Sequence, residues 1–83
     1  MDDIFIVGAR RSAIGSLEGA LSPLSAAEIG AQVIAGVLED TKVDPGAIDE
    51  VIIGQVLQGG AGQNPARQAA MHAGIPVSVP AMT

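Results

Sequence analysis

The sequence has no cysteine, no tryptophan and no tyrosine, and a single phenylalanine, Phe5. Without cysteine there is no disulfide framework and no thiolate to bind a metal or attack a substrate, and His72 is the only imidazole. Aromatic side chains carry much of the buried area in small domains, so their scarcity leaves a thin core. Bases are also few: Arg10, Arg11, Lys42 and Arg67 stand against nine acids, for a net charge of −5. With no basic stripe and no stacking aromatics, the chain lacks the electrostatic footprint of a nucleic-acid binder, and no nucleic-acid partner is expected. No run approaches the about 18 apolar residues of a membrane span, and no membrane partner is expected. The opening MDDIFIVGA has neither the basic n-region of a secretory signal nor the Arg-rich character of a transit peptide. The expectation is a cytoplasmic chain with no metal and no resident cofactor.

What is present is 83 residues, 48% of them hydrophobic and nearly all of those aliphatic. A chain of this length makes one small domain at most and buries only about 60 to 65% of the surface its unfolded form exposes. Residues 4 to 9, IFIVGA, read as a short strand, followed by a loop in which Gly15 and Gly19 suit turns that need φ > 0. Ser25 and Glu28 match a capping box, with Leu24 and Ile29 placed as a hydrophobic staple. The spacing of Ile29, Val33, Ile34, Val37 and Leu38 then predicts one apolar face of a helix ending near Thr41. Pro45 and Gly46 mark a turn, and VIIGQVL reads as a strand buried on both faces. Asn64 and Pro65 form an N-cap and N1 pair for a second helix that Gly74 and Pro76 end, and VSVPAMT begins another β-type run. The order strand, helix, strand, helix, strand predicts an α/β layer with parallel pairing. Three strands and two helices are a fraction of such a layer, and the expectation is a piece of a larger domain.

The glycine-rich connection GQVLQGGAGQNPARQ invites a phosphate reading, which its spacing refutes. A Walker loop ends in Gly-Lys-Ser or Gly-Lys-Thr, and no lysine lies between residues 43 and 83. A dinucleotide fingerprint needs glycine at the sixth position, which counted from Gly60 is Pro65. The remaining role is a tight strand-to-helix turn with the backbone in close approach to a neighbouring group.

At QNPARQAAMHAG, preceded by GQVL and followed by VPAMT, the sequence resembles the amino-terminal segment of the thiolases, specifically those of acetoacetyl-CoA type. The opening agrees: Arg11, Ser12, Ala13, Ile14 and Gly15 are similar to the family's first loop, and LSAAEIGAQVI is similar to its first helix. The resemblance runs along essentially the whole chain. It implies a pair of similar halves stacked as a five-layer αβαβα fold, with residues 1–83 as the start of the amino-terminal domain. It also implies a Claisen condensation or its reverse, in which two acetyl-CoA give acetoacetyl-CoA and CoA through an acyl-cysteine. Coenzyme A thioesters are then substrates, and the partners are the remainder of the subunit and further copies of it in a homo-oligomer.

The resemblance carries no catalytic or substrate-binding residue onto this chain. The family's nucleophile lies in a Cys-Gly-Ser-Gly motif a few residues beyond the strand that VPAMT begins. His72 matches no catalytic motif of the family and has no nucleophile to serve, so it is not assigned a role. Because the family's counterpart of GGAGQNPARQ lies at a subunit interface near the reacting cysteine, the resemblance implies supporting roles there for Gln63, Asn64 and Arg67. For Asn64 a helix cap is an equally good account, and for Arg67 a solvated cation or a structural ion pair. Two readings stand at this point: part of a thiolase, or a non-catalytic fragment acting only as a structural or assembly piece.

Overall fold

The computed structural model describes residues 3–83. Helix α1 spans Ala26–Thr41, a 3-10 turn spans Pro45–Ala47, and strand β1 (Val51–Ile52) leads through a loop into helix α2 (Pro65–His72) and strand β2 (Ala81–Met82). The two strands are parallel, with Val51 opposite Ala81 and Ile52 opposite Met82, so β1, α2 and β2 form one βαβ unit. Val51 N–H donates to Pro80 O and Ile53 N–H to Met82 O, both at 2.9 Å.

The helix termini form where local chemistry places them. Ser25 Oγ accepts from Glu28 N–H at 3.1 Å while Ser25 N–H donates to Glu28 Oε1 at 3.4 Å, closing both halves of the capping box. At the other end Lys42 takes a left-handed φ of 57° and Thr41 Oγ1 donates back to Val37 O at 2.8 Å. Asp44 accepts from Gly46 N–H at 2.8 Å to start the 3-10 turn. Gly74, at φ +86°, ends α2.

Three expectations are corrected. IFIVGA is not a strand: residues 4 to 9 are unpaired coil, and Ile4, Phe5, Ile6 and Val7 are exposed. A β-type run becomes a strand only when a neighbour accepts its ladder hydrogen bonds, and among the described residues the sheet holds β1 and β2 alone. VIIGQVL is not buried on both faces either, since Val51 is buried while Ile52, Val56 and Leu57 lie open. The loop before α1 takes positive φ at Gly15 and Glu18 rather than at Gly19. Glycine at 19 serves close approach instead, because a Cβ there would lie 2.6 Å from Ser16 Oγ.

The expected apolar face of α1 is present, with Ile34 and Leu38 packed against the core, and small residues add to it. The buried residues of α1 are Ala27 and Ala31, and a Cβ on Gly30 would stand 3.4 Å from the Ala69 Cβ of α2. Small residues let the two helices meet closely, and α2 answers with buried Ala66, Ala69 and Ala70. The larger Ile34 and Leu38 pack half-buried against a cluster of Val51, Ala70, Ile75 and Val79. With the amino-terminal run lying outside this core, the radius of gyration is 13.6 Å, against about 12 Å for a compact chain of this length.

Candidate functional site

The glycine-rich connection folds as a turn closed on itself. Gly60 and Gly62 hold φ of +75° and +82°, conformations that side chains disfavour, whereas Gly59 has ordinary φ and open space around it. Gln68 Nε2 reaches back from α2 to donate to Ala61 O at 2.8 Å and Gln63 O at 2.9 Å. The side-chain amide of Gln68 therefore lies within the turn and satisfies its carbonyls. Outside it, Val56 and Leu57 are 96% and 86% exposed, an apolar tip directed away from the core.

Asn64 sits where this turn enters α2, at a left-handed φ of 42°. Its Oδ1 caps the helix by accepting from Arg67 N–H at 3.2 Å and also accepts from Thr83 Oγ1 at 2.8 Å. Its Nδ2 donates to Ala81 O at 3.1 Å. Thr83 Oγ1 accepts in turn from Ala66 N–H at 3.0 Å, so one hydroxyl joins the Asn64 side chain to the first turn of α2. The amino end of α2 and the carboxyl end of β2 are thereby fastened through both groups of one asparagine.

The other two residues singled out in the sequence are placed differently. Arg67 is half-buried, and its Nη1 donates to Val77 O at 3.4 Å, tying α2 to the segment before β2. The ion pair among the described residues is instead Arg10 with Asp40. Gln63 is exposed and contributes its backbone carbonyl to Gln68. His72 is exposed at the last turn of α2.

Elsewhere an open groove of about 240 Å³ runs between α1 and β1, lined by Val33, Ile34, Val37, Leu38, Val51 and Ile75 among others. Its one ionisable lining residue is Glu50, a poor match for phosphate. No cluster of metal-ligating side chains occurs among the described residues, and no helix is long and apolar enough to cross a membrane.

Sequence reasoning missed Thr83 and Gln68. Thr83 meets Asn64 across nineteen positions, a separation that no local pattern encodes. Gln68 was within reach, because a glutamine one turn into a helix behind a glycine-rich loop can return to that loop's carbonyls.

Comparison with known proteins follows the same residues. The family described as "Thiolase, N-terminal domain" matches residues 4–83. An acetyl-CoA acetyltransferase of Pseudomonas aeruginosa is 59% identical over 83 residues, which is 100% of this chain and 21% of that protein. One from Allochromatium vinosum is 60% identical over 82 residues, 99% of this chain and 21% of the relative. A mouse protein named cytosolic acetyl-CoA acetyltransferase is 55% identical over 80 residues, 96% of this chain and 20% of its own length. The chain thus spans about a fifth of the length of the relatives it matches. On the family match and on identity at this level along its whole length, the chain belongs to the thiolase family, as an amino-terminal segment of the acetyl-CoA acetyltransferase type.

Proposed function

We propose that the chain is the start of the amino-terminal domain of an acetyl-CoA acetyltransferase with the five-layer αβαβα fold. The observation that carries this reading is the match along the whole chain to proteins of that name. In the reaction a cysteine thiolate of the parent attacks the thioester carbonyl of acetyl-CoA, the acetyl group passes to sulfur, and CoA leaves as its thiol. A base removes a proton from the methyl of a second acetyl-CoA, the carbanion attacks the acyl-cysteine carbon, and the thiolate departs as acetoacetyl-CoA forms. Thiolysis is the reverse. Such chemistry needs an activated thiolate, an acid/base for the carbanion and donors at the thioester oxygen.

The thiolate does not come from residues 1–83, which hold no cysteine. The segment's own part is framework: the βαβ unit holds the strand that precedes the nucleophile, and the connection 54–63 presents Val56, Leu57 and the Gln63 side chain outward. That exposed tip fits a contact with a second copy of the subunit, with Gln63, Asn64 and Arg67 supporting the active site beside it. The parent works in the cytoplasm as a homo-oligomer on coenzyme A thioesters, without a resident cofactor.

Acetoacetyl-CoA cleavage measured on the full-length parent and on the 83-residue chain tests this reading. The parent is expected to be active and the short chain inert. Cleavage that scaled with the short chain and survived His72→Ala would overturn it.

A further inference from the structure

Gln32, Gly36 and Asp40 follow one another along α1 at four-residue spacing and so share one side of the helix, and the amino-terminal loop lies across that row. A Cβ on Gly36 would stand 3.5 Å from Arg10 Nη1, 3.7 Å from Cζ and 3.8 Å from Nε, so the guanidinium lies flat over the bare backbone of this glycine. Asp40 takes its Nε and Nη2, at 2.6 and 2.9 Å. Arg10 Nη1 is thereby held in place while keeping both its hydrogens for another acceptor. Beside it, Arg10, Arg11, Ser12, Gln32 and Val33 line a pocket of about 140 Å³.

We infer that this pocket is a binding site for a small aliphatic monocarboxylate, held by Arg11, Arg10 Nη1 and the Gln32 amide, with its alkyl group against Val33. The donor set selects an oxyanion: guanidinium groups match the planar carboxylate, and no acid lines the pocket, in contrast to the groove that carries Glu50. Arg11 is committed only to a long 3.4 Å contact with Ser12 O, and Gln32 is exposed. The charge balance selects a monoanion. Two of the chain's four bases meet here, but Asp40 already matches Arg10, so the positive charge left over is that of Arg11 alone. A phosphate dianion would exceed it, beside Asp40 and in a chain of net charge −5. The site shares no residue with the connection 54–63 and does not rest on the thiolase reading.

Protection of Arg11 from phenylglyoxal in the full-length parent, read peptide by peptide by mass spectrometry, tests the site without reference to turnover. Millimolar butyrate is expected to slow modification of Arg11 and leave that of Arg67 unchanged. Butyramide, which has the same shape without the charge, is expected to give no protection, and inorganic phosphate less than butyrate at equal concentration. Equal protection by butyrate and butyramide, stronger protection by phosphate, or none by butyrate would overturn the proposal.

Two variants separate a shaped site from general attraction of anions. Gln32→Leu, at an exposed position, removes one donor without removing charge and is expected to raise the butyrate concentration for half-protection by about fivefold. Asp40→Asn removes an acid, which by charge alone would strengthen anion binding, but it also releases Arg10 from its place over Gly36. The expected result is loss of protection. Stronger protection in Asp40→Asn, or an unchanged half-protection concentration in Gln32→Leu, would overturn the site as described.

Discussion

Arg10 grips Asp40 side-on, with Nε 2.6 Å from Oδ2 and Nη2 2.9 Å from Oδ1, and so ties the amino-terminal loop to the last turn of α1. A Cβ at Gly8 would collide with Thr41 Cγ2, which puts the backbone of that loop against the same turn. The hydrogen bond from Arg10, and then its charge, hold the Asp40 carboxyl below the usual carboxylate range, with desolvation opposing them. Hydrogen bonding and charge from Asp40 raise the Arg10 guanidinium.

The pH dependence follows from the lowered carboxylate. A group whose pKa is depressed on folding contributes stability above its unfolded value, about 3.9 for Asp, and loses it as pH falls through the folded value. The loop around Arg10 is therefore expected to stay docked from neutral pH down to about 4 and to detach below that. Limited proteolysis of the full-length parent across this range, with Arg10→Ala as the detached reference, checks it. Because both side chains are about half exposed, at 52% and 45%, added salt is expected to loosen the loop in the same way.

The glycines of the connection separate by backbone conformation. Gly62→Ala forces a side chain into φ +82° and against Gln68 Nε2 at 3.0 Å, and is expected to cost about 1 to 2 kcal/mol. Gly59→Ala, at ordinary φ in open space, is expected to stay within about 0.5 kcal/mol of wild type. Denaturant unfolding of the two variants checks the contrast, and equal costs would contradict the turn as described.

Close approach of α1 to α2 gives a prediction of opposite sign for two substitutions at one position. Gly30→Ala places a methyl at ordinary contact distance, 3.4 Å from Ala69 Cβ. It is expected to be neutral or to stabilise by up to about 1 kcal/mol through helix propensity. Gly30→Leu overfills the same contact and is expected to destabilise by about 1 to 3 kcal/mol. Thermal unfolding of both decides whether this seam is as tight as the structure shows.

The segments legible in the sequence are those settled by neighbours a few positions away. Ser25 with Glu28, Asn64 with Pro65, and Gly74 are complete signals within one turn of chain, and each helix boundary stands where they put it. IFIVGA misled because its apolar run states a preference for burial, while strand formation depends on an edge that another segment must supply. The α1 face was legible in part: counting large side chains found Ile34 and Leu38, which pack on the core, whereas Ala27, Gly30 and Ala31 determine what can come closest. The bond between Asn64 and Thr83 depends on the βαβ unit being folded already, so the cap was visible in the sequence and its second use was not.

Arg67 distinguishes the interface reading from a purely internal one. If its half-buried guanidinium supports a contact between subunits, Arg67→Ala in the full-length parent lowers association and turnover together. If it only holds Val77 O across 3.4 Å, the change costs about 0.5 kcal/mol of stability and leaves both properties alone. Sedimentation and turnover on one preparation separate the two, and the account expects both to fall.

The central claim is that these residues frame an acyl-cysteine enzyme whose nucleophile they do not contain. Mass spectrometry of the full-length parent after brief exposure to acetyl-CoA tests it most directly. The account predicts an acetyl group on a cysteine that follows Thr83 and none on any residue from 1 to 83. An acetyl group on His72 or on a serine of this segment, or no acylated cysteine at all in a parent that turns over, would contradict it.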